Sequence, residues 1–342
     1  MTPQLSIVIV SYHSQAHLAR CLPSIARQGV EGIEIIVVDN APGDGTATWL
    51  ARQHADVHVI ANPTNTGYAG GNNVGIHNAS GEHVLILNPD TELHDGALLK
   101  LLEAVTAHPD ALVTPKLLNA DGTVNACGNQ MHYTGITTCR GLGEPAEAYS
   151  GTHAVPLVSG AAFIARRTLL LELGGFDTSF FMYHEDTDLS LRARSLGYHV
   201  LCAADAEISH HYVLHMSPGK FFYLERNRLL TLLKNLAPDT LRRLVLPIML
   251  TEMATWAFAL SRGPAYLAAR ARGYLWLWHE RPVWRAERAR ARAHRRVTDT
   301  GLLAAAATEL PFDQLAHPTV ARFLSATTDP VYRWLRPRTL QA

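Results

Sequence analysis

Residues 5–40 read LSIVIVSYHSQAHLARCLPSIARQGVEGIEIIVVDN. Leu5 to Val10 is a short, continuous, β-branched apolar run, the composition of a strand buried on both faces. From Ser14 to Gln28, Leu18, Cys21, Leu22 and Ile25 share one helical face, and Gly29 ends the segment. Ile33 to Val38 repeats the buried-strand pattern and closes on Asp39-Asn40 and a Pro42-Gly43-Asp44-Gly45 turn. Strand, helix and second buried strand in this order predict a parallel βαβ unit.

The alternation continues outward. Val57 to Ile60 and His83 to Leu87 supply a third and a fourth strand, and Gly96 to Ala107 is helical. The predicted class is therefore α/β, a Rossmann-like, mostly parallel, doubly wound sheet. Ligands of such sheets bind outside the carboxyl ends of the strands. Asp39 and Asp90 both follow strands, so both are expected at one crevice. Residues 119–156 read as loops with short strands, Val158 to Ala165 as a further strand, and Glu185 to Leu196 as a helix. A second helical zone runs, with breaks, from Pro218 to about residue 293. Two domains are expected: an α/β domain over 1–236 and a helical, Arg-rich C-terminal extension over 237–342.

Composition narrows the classes. Of 342 residues 47% are hydrophobic and 18% charged, and the formal net charge is zero, which suits a globular protein and not a nucleic-acid binder. Ten arginines fall between Arg262 and Arg296 against Glu280 and Glu287, a local basic excess that suggests an anionic surface as partner. The four cysteines show no C-x-x-C or zinc-like spacing and read as reduced thiols. Met1-Thr2-Pro3 runs almost directly into a strand with no basic n-region, so a cytoplasmic reaction is expected.

Several stretches carry candidate chemistry. Asp39 can accept hydrogen bonds from a nucleobase or ribose, or open an Asx-turn. Residues 62–75, NPTNTGYAGGNNVG, read as a Gly/Asn loop ahead of a helix; Asn65, Gly67, Gly71 and Asn72 could let the backbone approach a ligand and bond it. At the end of the fourth strand, Asp90 of LNPD offers a hard oxygen to a divalent ion, and Asn88 could orient a sugar or a bound water. Gly174 to Val200 holds Asp177, Glu185, Asp186 and Asp188 among aromatics. Part of that is helix capping; carboxylates beside Phe180, Phe181 and Tyr183 also suit a partly desolvated general base. Ser209-His210-His211 follows a short strand read at Ala206 to Ile208, and a neutral imidazole there is a natural metal ligand.

Taken in order, SIVIVSYHS (6–14), IIVVDN (35–40), NTGYAGGNNVGI (65–76), LILNPD (85–90), SGAAFIARR (159–167), GGFDTSFFMYHEDTDLSLRARSLGY (174–198) and FFYLERNRLLTLLKN (221–235) resemble the family 2 glycosyltransferases, and within them the rhamnosyltransferase-like branch. The resemblance covers about two thirds of the chain. It implies a GT-A fold over 1–236 and donor contacts from Ser11, Asp39, Asn65, Gly67, Gly71, Asn72, Asn88 and Asp90. Asp90 matches the last position of the family's metal-binding DxD, whose first position here is Asn88. Asp186 matches the general base with Glu185 beside it, and His210, with His211 adjacent, falls at the metal-binding histidine.

The implied reaction is a single inverting displacement that needs Mg²⁺ or Mn²⁺. It moves a sugar, rhamnose from dTDP-rhamnose first, from a nucleotide-sugar donor to a cell-surface glycan or polyprenyl-linked acceptor. Two other readings stand beside it. A sugar nucleotidyltransferase would carry a Gly-rich, Arg-containing loop where this chain has Ser11-Tyr12-His13-Ser14. A non-catalytic nucleotide-sugar-binding scaffold would lose the acidic cluster, which is intact.

Leu244 to Leu260 is apolar but short, and is broken by Pro247 and Glu252; a crossing helix needs about 20 apolar residues. Followed by Tyr, Trp and Arg, it reads as an interfacial segment on an anionic leaflet, peripheral on the inner face of the membrane. Packing on the α/β core or on a second protomer of an oligomer is the alternative.

Overall fold

A computed structural model describes residues 3–212, 215–310 and 318–340. The strands are β1 Leu5–Ser11, β2 Ile33–Asp39, β3 His58–Ala61, β4 His83–Leu87, β5 Thr91–Leu93, β6 Ala111–Leu118, β7 Val124–Cys127, β8 Asn129–Met131, β9 Thr137–Cys139, β10 Thr152–Ala154, β11 Ala162–Arg166 and β12 His199–His210. The α-helices are α1 Gln15–Ala26, α2 Thr46–Gln53, α3 Gly67–Asn78, α4 Ala97–Ala107, α5 Arg167–Glu172, α6 Glu185–Ser195, α7 Pro218–Asn235, α8 Pro238–Arg243, α9 Val245–Arg262, α10 Pro264–His279, α11 Arg281–Ala293, α12 Asp299–Leu303 and α13 Pro318–Leu340.

Contacts divide the chain into two units. One holds 1–129, 139–193 and 198–213; the other holds 130–138, 194–197 and 214–342. The first is a mixed α/β layer structure. Its main sheet runs β10-β12-β6-β11-β4-β1-β2-β3, with β5 paired to β12 and β7 to β6. β3, β2, β1 and β4 are parallel neighbours, as are β6 and β12, while β11 is antiparallel between β4 and β6. The strands are apolar on both faces because helices cover both: Ile7, Val8 and Ile9 of β1 and Val84, Leu85 and Ile86 of β4 are fully buried. α1 and α4 place Leu18, Cys21, Leu98 and Leu101 in the core on one face.

Two elements differ from their sequence reading. The Gly/Asn run is not a loop ahead of a helix; it is helix α3, beginning at Gly67. Its glycines serve close packing: a Cβ on Gly75 would lie 2.2 Å from Val8 Cγ1, and one on Gly71 2.8 Å from Val10 Cγ1 and from Asn40 Nδ2. The short strand read at 206–208 is the end of the twelve-residue β12. A bulge between Ala203 and Glu207 breaks its ladder with β6, which hides the strand's alternation in the sequence.

The second unit is helical. Phe221 of α7, Ala259 of α9 and Ala269 of α10 form one buried cluster, flanked by Phe222, Phe258, Tyr266 and Leu267. Arg228 and Arg270 are buried there against Glu225 and Glu252, and Tyr274 donates to Glu252. Among the described residues no helix is long and apolar enough to cross a membrane. The four cysteines carry no disulfide.

Candidate active site

The site grows from strand ends. β1 and β2 run in register to Ser11 opposite Asp39, and β4 ends one residue before Asn88, so all three deliver their last side chains to one edge of the sheet. Ser11 is fully buried, and its Oγ has no hydrogen-bond partner among the described residues. Asp39 is also buried, with Oδ1 accepting from the Ala41 N–H at 3.0 Å. Beside it, Asn40 ties three segments together: Nδ2 donates to the Gly67 carbonyl at 2.8 Å, and Oδ1 accepts from Asn62 Nδ2 at 2.6 Å and Thr66 Oγ1 at 3.2 Å.

Four of the expected donor residues sit at the start of α3 with structural duties. Asn65 uses Oδ1 to accept the Gly67 N–H at 2.8 Å. Gly67 has φ +72°, and a Cβ there would stand 2.4 Å from the Phe181 carbonyl oxygen, so glycine lets the Phe181 loop close on the helix. Gly71 packs on Val10 and Asn40. Asn72 is buried; its Nδ2 donates to the Tyr68 carbonyl, while Oδ1 has no hydrogen-bond partner among the described residues.

The acidic stretch separates by environment. Asp177 caps the Ser179 N–H, and Asp188 is buried against Arg192, whose guanidinium also bonds the Leu173 and Gly175 carbonyls. Glu185 and Asp186 remain for chemistry, at the first turn of α6. Asp186 Oδ2 accepts from the Gly160 N–H at 2.8 Å and from Asn129 Nδ2 at 3.4 Å; Oδ1 accepts from the Thr187 N–H at 2.7 Å. Burial raises the Asp186 carboxyl above the usual aspartate value, and these donors pull against it. Glu185 is raised well above its ordinary value, by burial first and then by the charge of Asp186, and its Oε2 has no hydrogen-bond partner among the described residues. Tyr68 links this cluster to Asp90. Its hydroxyl bonds the Gly160 carbonyl, and after burial the charges of Glu185, Asp186 and Asp90 all raise its pKa.

Asp90 and His210 meet across the β5–β12 ladder, where His210 pairs with Thr91 and the His211 N–H donates to the Asp90 carbonyl. Asp90 Oδ1 lies 3.6 Å from His210 Nε2, and among the described residues neither atom has a hydrogen-bond partner. The next residue alternates away: His211 Nε2 lies 2.9 Å from Glu92 Oε1.

The sequence profile described as Glycosyl transferase family 2 matches residues 6–174, the span that carries every strand end above except His210. The chain belongs to glycosyltransferase family 2. As a family 2 member it is a glycosyltransferase that uses a nucleotide-sugar donor. It is 28% identical over 236 residues to the N-acetylglucosaminyl-diphospho-decaprenol L-rhamnosyltransferase of Mycobacterium tuberculosis, covering 62% of this chain and 77% of that one. It is 30% identical over 201 residues to the low-salt glycan biosynthesis hexosyltransferase Agl10 of Haloferax volcanii, covering 57% and 62%. In fold it is similar to Staphylococcus aureus TarS 1–349, with TM-score 0.54 at 16% identity over 99% of this chain and 88% of that one. It is also similar to GalNAc-T7 with UDP, GalNAc and Mn²⁺, with TM-score 0.55 at 16% identity over 67% and 48%. The fold is GT-A, with C-terminal helices.

A divalent ion fits the Asp90–His210 pair of this family 2 chain. A carboxylate oxygen and an imidazole nitrogen, both buried and both without a donor, face each other at a separation that one cation between them would satisfy. Sequence reasoning missed Asn40, Tyr68, Asn129, Gly160 and Asn125, whose Oδ1 lies 3.1 Å from His210 Nδ1. Tyr68 and Gly160 lay inside quoted motifs without a role. Asn125 and Asn129 carried no signal beyond recurring polar residues in a stretch read as loops.

Proposed function

We propose that this chain is an inverting glycosyltransferase acting on a glycan carried by a polyprenyl diphosphate, with dTDP-rhamnose as the first donor to test. The observation that carries the reading is the pair of facing atoms Asp90 Oδ1 and His210 Nε2, without hydrogen-bond partners among the described residues; Tyr68 feels the charge of Asp90 as well as that of Glu185 and Asp186. The rhamnose and lipid-linked parts are supported by the name of the M. tuberculosis relative.

In this reading Asp186 accepts the proton of an acceptor hydroxyl while that oxygen bonds to the anomeric carbon and the bond to the nucleoside diphosphate breaks. The Gly160 and Thr187 N–H groups hold the carboxylate in place. Asp39 and Ser11 receive the nucleoside at the β1 and β2 ends, and Asn88 faces the sugar. Asp90 and His210 would hold Mg²⁺ or Mn²⁺, which would supply Lewis-acid neutralisation of the diphosphate charge. Burial raises Glu185 well above its ordinary value, which favours Asp186 as the base.

A thermal-shift panel of dTDP, UDP, GDP and ADP, each with and without metal, tests this. A ligand at a hundred times its Kd stabilises the native state by about 2.7 kcal/mol. One nucleotide should raise Tm only with metal, and not in Asp90→Ala. Equal shifts in the variant would refute the metal assignment, and no shift with any nucleotide would favour the scaffold reading.

Membrane-surface association is supported by α9, where the apolar side chains of Val245, Leu246, Met249, Met253 and Leu260 are exposed.

A further inference from the structure

Three polar side chains behind the Asp90–His210 pair form a chain whose direction can be worked out from one end. Asn119 Nδ2 lies 3.1 Å from the Val124 carbonyl oxygen and 2.9 Å from Thr123 Oγ1. A backbone carbonyl can only accept, so the amide nitrogen of Asn119 is the group that faces it. Asn119 Oδ1 is thereby turned to Asn125, whose Nδ2 donates to it at 2.8 Å. That bond in turn points Asn125 Oδ1 at His210 Nδ1, 3.1 Å away. An amide oxygen accepts, so Nδ1 carries the imidazole proton. A neutral imidazole has one N–H, and Nε2 is left with its lone pair, directed to Asp90 Oδ1. Stacking of the ring on Tyr212, with centroids 5.5 Å apart and planes 16° from parallel, fixes its plane.

We infer that Asn125 is a positioning residue that selects the Nδ1–H tautomer of His210, with Asn119 and the Val124 carbonyl as the anchor that sets its orientation. The inference rests on His210 as a metal ligand for its consequence in binding, but the tautomer itself can be read without metal. Residues hydrogen-bonded to a ligand histidine typically matter about 10- to 100-fold in metal affinity. Without Asn125 the proton can move to Nε2, where it would bond Asp90 and block both groups.

The test uses the full chain labelled with ¹⁵N-histidine, free of metal, with His210→Gln identifying the resonances. Long-range ¹H–¹⁵N correlations should show His210 as Nδ1–H in the wild type and in Asn125→Asp, which keeps an acceptor. In Asn125→Leu they should show mainly Nε2–H. Asn119→Ala, which frees the Asn125 amide to rotate, should give a mixture and serves if Asn125→Leu does not fold. Mn²⁺ affinity by EPR, measured with a bound nucleoside diphosphate, should fall about 10- to 100-fold in Asn125→Leu and be kept in Asn125→Asp. A folded Asn125→Leu or Asn119→Ala protein that keeps the Nδ1–H form overturns the inference. Unchanged Mn²⁺ affinity in His210→Ala would instead remove the metal reading, and the tautomer result would still decide the role of Asn125.

Discussion

Glu185 and Asp186 are neighbours on one helix, yet Asp186 receives two backbone N–H groups while Glu185 Oε2 receives none. Donors to a carboxylate favour its charged form and burial disfavours it, so both carboxyls are raised, Glu185 well above its ordinary value, and Asp186 is the proposed base. Asp186→Asn should lower turnover by about 10²- to 10⁴-fold, the usual worth of a general base, with donor affinity by titration unchanged. The acid limb of kcat/KM should lie above the ordinary aspartate range, because burial raises Asp186. Glu185 has a stability signature of its own. Its folded pKa lies above the unfolded value, so its favourable contribution is full below the ordinary glutamate pKa and is lost as pH rises through the raised one. Glu185→Gln should therefore melt above the wild type at pH 7 and coincide with it near about pH 4. A variant that melts lower at pH 7 would show that Glu185 is ionised and held.

Among elements, α3 shows how packing overrides local preference. Glycines at 70, 71 and 75 argue against a helix on propensity alone, and the helix forms because its bare face lies directly on β1. Gly75→Ala should cost about 1–3 kcal/mol by overpacking against Val8, read as a lower Tm, and Val8→Ala in the same chain should restore part of it. The parallel strands β1, β2 and β4 were legible because burial on both faces leaves an unbroken apolar run such as LSIVIV. β11 shows no sign of its reversed direction, since strand direction is set by connection and not by side-chain pattern. β12 was read as three residues because Ala203 to Glu207 has no alternation, and the pairing that makes it a strand is with β6, far away in sequence. Of the site, the carboxylates and His210 could be found as chemical types near strand and helix ends. The amides of Asn40, Asn125 and Asn129 could not, because their partners come from distant segments.

At the scale of the whole molecule, the basic stretch that the sequence suggests for an anionic surface is partly consumed inside the helical unit. Arg270 is buried against Glu225 and Glu252, and Arg295 pairs with Asp299. Glu252 is the centre of that network: burial opposes its ionisation, and Arg228 and Arg270 hold its pKa down regardless. Glu252→Gln leaves buried guanidinium charge uncompensated and should destabilise the protein by about 3–5 kcal/mol, measurable as a fall in the denaturation midpoint. Arg262, Arg272, Arg281, Arg285, Arg290, Arg292 and Arg296 remain exposed in the same unit as the apolar residues of α9. The full chain should float with anionic vesicles at low salt and release as salt rises, since screening weakens surface charge attraction. Met249→Asp with Met253→Asp should abolish flotation without lowering Tm; flotation unchanged in that variant would assign the face to another partner.

The bulge in β12 has a consequence for how such chains can change length. Ala203 pairs with Pro115 and Glu207 with Lys116, so the residues between them stand outside the ladder. The half of the strand that ends in His210 therefore takes its register from β5 and the end of β6, independently of the half that begins at His199. Slack of this kind absorbs indels. A residue gained or lost between Ala203 and Glu207 would lengthen or shorten the bulge and leave His210 opposite Thr91, whereas the same change between Glu207 and His210 would turn the imidazole to the other face of the sheet. Length variation among related chains should gather in the first interval and be absent from the second.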